Sequence, residues 1–285
     1  MKTIIISDIK GKTDSIIPYG LNLAKNLESE VDILHIIDSR TQQGVQSAYS
    51  DSQTVVPGEK MSHEEIVERE KDFAKKELDK ILSKEASRLN YPLKINTIVE
   101  EDSVEKKIKE QVNSDPQCLV LVNSVHDNFI FHSQEEILEV ISNLKAIPLM
   151  VPGGQDYKDL KDILLISDFT SKDITLVKDK IGFLDGFKPV INAVDIARPN
   201  NFEKKESKSK ALEGVIKDRL TPFKTELNII TGSKYTDTIL DYIDHKKPDL
   251  VMLLKNKESL FTRMLQKKRN EKLIKNITVP VLYLK

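Results

Sequence analysis

Two tandem α/β units, each a doubly wound parallel sheet of five strands, form the fold class that this sequence predicts, and three observations predict it. The chain begins twice, because Lys2-Thr-Ile-Ile-Ile-Ser-Asp8 at the start is echoed in mid-sequence by Lys161-Asp-Ile-Leu-Leu-Ile-Ser-Asp168. Each copy is a short aliphatic run closed by Ser-Asp, the pattern of a buried parallel strand that delivers an acidic side chain to its C-terminal edge. Strand-length apolar runs then alternate with stretches of helical period, as crossover helices between parallel strands require. The length of 285 residues accommodates two domains with real cores.

The elements follow in order. After Asp8 and Gly11, apolar residues at Ile16, Ile17, Leu21, Leu23, Ala24 and Leu27 keep the 3.6 period of a helix on a sheet. Val31 to Ile37 is a second strand ending at Asp38. Residues 39 to 58 are polar and broken by Gly44, Pro57 and Gly58, a long loop that serves either as a lid or as a surface insertion. Ser62 opens a long charged helix with Glu65 as its capping-box partner and an apolar stripe at Ile66, Phe73, Leu78, Ile81, Leu82 and Leu89. A strand from Leu93 to Val99, a helix from Ser103 to Val112, a strand from Cys118 to Val122, a helix from Glu135 to Leu144 and a strand from Ile147 to Val151 complete the first domain, residues 1–152.

Pro152-Gly153-Gly154 and the polar residues up to Asp159 are the linker. The second domain, residues 158–285, repeats the order: a strand to Ile166, a helix from Lys172 to Leu184, a strand from Pro189 to Val194 ending at Asp195, and a helix announced by Pro199 and closed by Pro222. The basic run Lys204 to Lys210 in that helix reads as a solvated face. A strand from Glu226 to Ile230, a helix from Thr236 to His245, a strand from Asp249 to Leu254, a helix from Lys268 to Asn276 and a strand from Val279 to Leu284 end the chain.

Composition excludes several functions. Lys and Arg number 44 against 45 Asp and Glu, net −1, so there is no global footprint for nucleic acid or an anionic membrane. The single cysteine, Cys118, lies in an apolar run and reads as a buried, inert thiol. Ile4-Ile5-Ile6 is too short for a signal sequence or a membrane span, which predicts a cytoplasmic protein. His35, His63, His126, His132 and His245 show no metal-ligand spacing, and no GxSxG or Walker loop is present.

The order strand-Ser-Asp, helix, strand-Asp, variable helix, strand, helix, strand, helix, Val-Pro-Val-Leu strand resembles the universal stress protein family, as a tandem pair covering nearly the whole chain. Ile166-Ser-Asp-Phe-Thr170, Pro248-Asp-Leu-Val-Met-Leu253 and Ile277-Thr-Val-Pro-Val-Leu282 carry it in the second half. Ile6-Ser-Asp8, Leu119-Val-Leu-Val122 and Ala146-Ile-Pro-Leu-Met150 carry it in the first. The resemblance implies a Rossmann-like strand order 3-2-1-4-5, a last strand used for pairing, and in some members ATP between strands 1 and 4, where the topology of an open parallel sheet also places a ligand. It further implies halves related by a pseudo-twofold axis that pair through Ile147–Val151 and Val279–Leu284, with a homodimer or another protein as further partner.

ATP-binding members of that family carry G-x-x-G-x9-G-[ST] before the last helix, because backbone N–H groups must approach the phosphates closely. Counted back from Pro280, Leu254, Lys257, Lys267 and Lys268 occupy those places, and the first half offers Asn123 to Glu136, again without glycine. Glu135 and Glu136 repel a triphosphate there. In the second half Lys255, Lys257, Lys267, Lys268 and Arg269 either gather an anion or extend into solvent. Leu260, Phe261, Met264 and Leu265, like Phe129 to Phe131 in the first half, either fill the vacated pocket or stack on an adenine.

Asp8, Asp38, Asp168 and Asp195 all fall at strand ends on one edge. The resemblance places Asp8 and Asp168 beside a base or ribose, whereas local chemistry has each cap a turn or helix; both readings stand. The sequence therefore predicts a non-catalytic stress-response regulatory or interaction protein without a bound cofactor. The alternative is a sensor of ATP, another nucleotide or a small anion in the C-terminal half, through Asp168, Asp195, Lys255, Lys257, Lys267 and Lys268.

Overall fold

The computed structural model describes residues 1–10, 15–38, 62–89, 92–114, 117–125, 130–254 and 272–285. They form two compact units, one of residues 1–146 with 153–156 and the other of residues 147–152 with 157–285. Both are α/β, and the loop expected at 39–58 lies outside the described residues.

In the first unit the strands run β3-β2-β1-β4, all parallel: β1 (Lys2–Ile6), β2 (Glu30–Ile37), β3 (Ile95–Glu101) and β4 (Leu119–Asn123). The central strand is apolar on both faces because both are covered, and Ile4, Ile5 and Ile6 are all buried. Around them lie α1 (Ile17–Asn26), α2 (His63–Leu89), α3 (Val104–Ser114) and α4 (Gln134–Asn143). Ser62 and Glu65 form the expected reciprocal cap, Glu65 N donating to Ser62 Oγ at 3.2 Å and Ser62 N to Glu65 Oε2 at 2.8 Å.

α1 lies so close to the sheet that only glycine fits at position 20. A Cβ there would stand 2.5 Å from Ile5 Cδ1 and 3.1 Å from Leu121 Cδ2. Gly20→Ala gains about 1 kcal/mol of helix propensity but adds overpacking of about 1–3 kcal/mol in a dense core. The expected net result is a loss of about 1 kcal/mol, read from the urea midpoint; a raised midpoint would mean that Ile5 moves aside freely.

The apolar stripe of α2 departs from expectation. The buried positions are Ile66, Val67, Glu70, Ala74, Leu78, Glu85 and Leu89, while Phe73 is 42% exposed. The neighbouring Ala74, four residues from both Glu70 and Leu78, takes the buried position instead of Phe73. The Lys10 ammonium lies 5.5 Å from the centre of its ring and forms an ion pair with Glu70. Glu85 is likewise held by Arg88 at 3.2 Å. A charged partner turned two glutamates inward, where hydrophobicity alone selects the phenylalanine.

In the second unit the order is β5-β10-β9-β6-β7-β8, comprising β5 (Ile147–Val151), β6 (Asp162–Ile166), β7 (Val190–Ala197), β8 (Lys224–Thr231), β9 (Leu250–Leu254) and β10 (Val281–Leu284). The last five strands of the sequence thus follow the order 3-2-1-4-5, all parallel. β5 joins antiparallel, with Val281 opposite Met150 and Leu282 opposite Leu149, and Leu149, Val151, Val281 and Leu282 are all buried.

The helices of this unit are α5 (Ser171–Lys180), α6 (Phe202–Arg219) and α7 (Tyr235–Lys246). The helix expected to reach Leu184 stops at Lys180 and continues as a 3-10 segment over Gly182–Phe187, whose two glycines weaken an α-helix. β7 runs past Asp195 to Ala197, so this aspartate lies inside the strand, opposite Ile229 of β8.

Candidate functional site

Each sheet presents the C-terminal ends of its parallel strands along one edge, and in each unit the central strand ends in Ser-Asp at the point where strand order reverses. The two units use that aspartate differently.

In the first unit Asp8 is turned inward and 3% exposed. Its Oδ1 accepts from Ser15 Oγ at 2.8 Å, its Oδ2 from Asn123 Nδ2 at 2.8 Å, and both oxygens lie 3.2 Å from the Ile16 amide that opens α1. β1 and β4 are thus tied at their ends by an Asp–Asn contact. Asn123 Oδ1 in turn receives the Val125 amide at 3.0 Å. Burial pushes the Asp8 carboxyl above its usual range even though donors from Asn123, Ser15 and Ile16 oppose that shift. Asp38, at the end of β2, is buried as well.

Beside Asp8, Ser7 Oγ and His35 Nδ1 lie 3.2 Å apart, both buried. Burial, with the charge of Lys10 adding to it, pulls the His35 imidazole from 6.5 down to about 4. The folded protein therefore keeps His35 neutral where the unfolded chain takes a proton. The resulting stability is full above pH 6.5 and is lost as pH falls towards 4, about 3 kcal/mol in all. His35→Gln removes that proton uptake, so its urea midpoint should fall less than the wild type's between pH 7 and 4.5. Parallel profiles would show that His35 titrates alike in both states.

In the second unit Asp168 is exposed. The capping that Asp8 performs falls instead to Asp173, which is buried in the first turn of α5. Asp173 N donates to Thr170 Oγ1 at 3.1 Å, while Asp173 Oδ2 accepts from Thr170 N at 3.4 Å and from Ser167 Oγ at 3.1 Å. Phe169 bridges the two in the left-handed region, φ 54°, its amide held by Ser167 Oγ at 2.9 Å. With its function displaced, Asp168 makes no hydrogen bond among the described residues.

Asp195 is buried beside it and bound to Lys205 Nζ at 2.6 Å; that ammonium also donates to the Ile196 carbonyl at 3.0 Å. Burial raises the Asp195 carboxyl, the negative charge of Asp168 adds to the rise, and Lys205 opposes it. Lys204, Lys208 and Lys210 are exposed as a solvated face requires, but Lys205 departs from that reading and turns inward to neutralise a strand carboxylate. Lys255, Lys257, Lys267 and Lys268, with Phe129, Leu260, Phe261, Met264 and Leu265, lie outside the described residues.

Four contributors escaped the sequence. Asn123 carried a legible signal, since strand order 2-1-4 puts the ends of β1 and β4 side by side. Asp173 carried the capping spacing from Thr170. Lys10 and Lys205 carried none, because one lysine among several declares no direction. Among the described residues no group of three His, Cys, Asp or Glu side chains could hold a metal ion, and no helix is long and apolar enough to cross a membrane.

No family model and no curated protein sequence matches the chain. Solved structures do. A universal stress protein from Archaeoglobus fulgidus DSM 4304 superposes with a TM-score of 0.65 at 12% identity, over 99% of this chain and 96% of that one. A putative universal stress protein from Pseudomonas aeruginosa UCBPP-PA14 gives 0.61 at 12% identity, over 100% and 93%. A functionally unknown protein from Pseudomonas aeruginosa PAO1 gives 0.61 at 12%, over 100% and 92%. The chain has the fold of the tandem universal stress proteins.

Proposed function

We propose that this chain is a stress-response regulatory or interaction protein of universal stress type that performs no catalysis, binds ATP weakly or not at all, and acts in the cytoplasm through a protein partner or a second copy. The single observation that carries the reading is Asp8. Its carboxylate, at the position where the resemblance expects a ligand, is saturated by Ser15, Ile16 and Asn123 and shut off from solvent. A nucleotide would have to displace three internal donors there. The glycine-free stretches at 123–136 and 254–268 support the same conclusion, since phosphates need close backbone approach.

A second reading rests on Asp168. Exposed and released from capping, it remains open to a ligand, and the lysines of 255–268 supply positive charge to the same half. The magnitudes favour the first reading. An exposed cation near a phosphate contributes about 1 kcal/mol or less, whereas each charge-assisted backbone contact that glycines allow is worth roughly 1.5–3 kcal/mol.

Isothermal titration of ATP into the whole protein decides between them. The expected result is no saturable heat below a millimolar Kd and no ADP formed on prolonged incubation. A micromolar Kd abolished by Lys267→Glu with Lys268→Glu would put the sensor reading first.

A further inference from the structure

The near-zero net charge conceals a polarity. Residues 1–152 hold 18 Lys and Arg against 26 Asp and Glu, net −8, whereas residues 153–285 hold 26 against 19, net +7. Opposite charges of this size on two tandem units make each a complement to the other's kind and repel like from like.

α6 gives the basic unit a place to use that charge. Of its 18 residues only Ser209 and Ile216 are buried. Lys204, Ser207, Lys208, Ala211, Gly214 and Val215 are all exposed and follow one another at helical spacing of three and four, so they line one uncovered face. Val215 is 52% exposed, and a Cβ added at Gly214 would meet nothing within 4 Å. The face is cationic at its N-terminal end and small and apolar further along, before it closes on the exposed Asp218. Neither Lys204 nor Lys208 has an ion pair among the described residues.

The acidic unit offers the counterpart. α4 contains Glu135, Glu136 and Glu139 and no basic residue, and Glu135, Glu139 and Asn143 are exposed one turn apart.

We propose that the α6 face of one copy docks on the acidic α4 face of a second copy, a head-to-tail self-association driven by charge and sealed by Ala211, Gly214 and Val215. The arrangement is heterologous: every copy offers one donor face and one acceptor face, so assembly either closes into a ring or continues as a chain. Ionic strength regulates it, because screening of exposed pairs grows as the Debye length falls from about 30 Å at 0.01 M to about 3 Å at 1 M.

Sedimentation velocity of the full-length protein tests this. The weight-average mass should exceed the 32.5 kDa of one chain at 20 mM salt and fall at least half-way towards it at 500 mM. Lys204→Glu with Lys208→Glu should abolish the low-salt species, as should Glu135→Lys with Glu139→Lys, and an equimolar mixture of the two variants should restore it. Circular dichroism checks that both variants stay folded; if either unfolds, Val215→Asp replaces it and should equally abolish association. A mass indifferent to salt overturns the proposal, as does salt-dependent association that survives the α6 substitutions. So does a protein that is monomeric throughout yet retained on heparin through Lys204 and Lys208, for then the occupant is a polyanion.

Discussion

Lys10→Met should cost about 3–5 kcal/mol, the usual penalty for removing one partner of a buried ion pair. The Glu70 side chain is only 5% exposed, and the Lys10 ammonium that neutralises it also covers the ring of Phe73. Methionine fills much the same volume, so the loss is electrostatic rather than a cavity. The Glu70 carboxyl, deprived of that ammonium, would be pushed up in the folded state and hold its proton more tightly than in the unfolded chain. The deficit should therefore shrink as pH falls, the opposite of what His35 imposes on the wild type. Lys10→Met with Glu70→Leu should recover most of the loss, because an apolar pair of similar volume leaves no charge to desolvate. Urea unfolding of the three proteins at pH 7 and pH 5 reads both effects, and a single variant within 1 kcal/mol of wild type would show Glu70 to be held by groups other than Lys10.

Val281→Asp is the second large effect expected, about 3 kcal/mol or more for a buried carboxylate without a counter-ion. Val281 is 1% exposed and sits in β10 between Met150 of β5 and Val251 of β9. The substitution attacks both pairings at once. Amide exchange at Leu149 and Met150 should accelerate together with the fall in stability. Thr278→Asp, outside the strand at an exposed position, serves as the control and should leave both unchanged. Unaltered exchange at β5 in Val281→Asp would mean that β5 is held by something other than β10.

The architecture was legible because it rests on features a one-dimensional pattern records. β1 and β6 could be recognised from Ile-Ser-Asp endings, and the capping box at Ser62 from its spacing. What the pattern did not record is phase and direction. Phe73 was placed in the apolar stripe and Glu70 left out of it because hydrophobicity ranks them so; Lys10, 60 residues away in sequence, reverses the order. Asp8, Asp38 and Asp168 were likewise located just past their strands but not told apart, whereas Asp195 lies within β7 rather than at its end. Asp8 and Asp168 occupy equivalent places after identical Ile-Ser pairs, yet Asn123 and Ser15 claim the first, while Thr170 and Asp173 relieve the second of the same duty. A partner brought by another strand is invisible until strand order is known. The same limit explains Lys205, which differs from its neighbours in the run only by the helical angle that aims it at Asp195.

β5 pairs with a strand that the ribosome delivers well after it. Residues 147–151 are synthesised long before their partner at 281–284. At about 5–20 residues per second the gap is on the order of ten seconds, during which Ile147-Pro-Leu-Met-Val151 has no β10 to lie against. An apolar strand left waiting is a template for any neighbouring nascent chain. The proline at 148 deletes one backbone donor from that template, a modest protection for an element whose native neighbour arrives so much later.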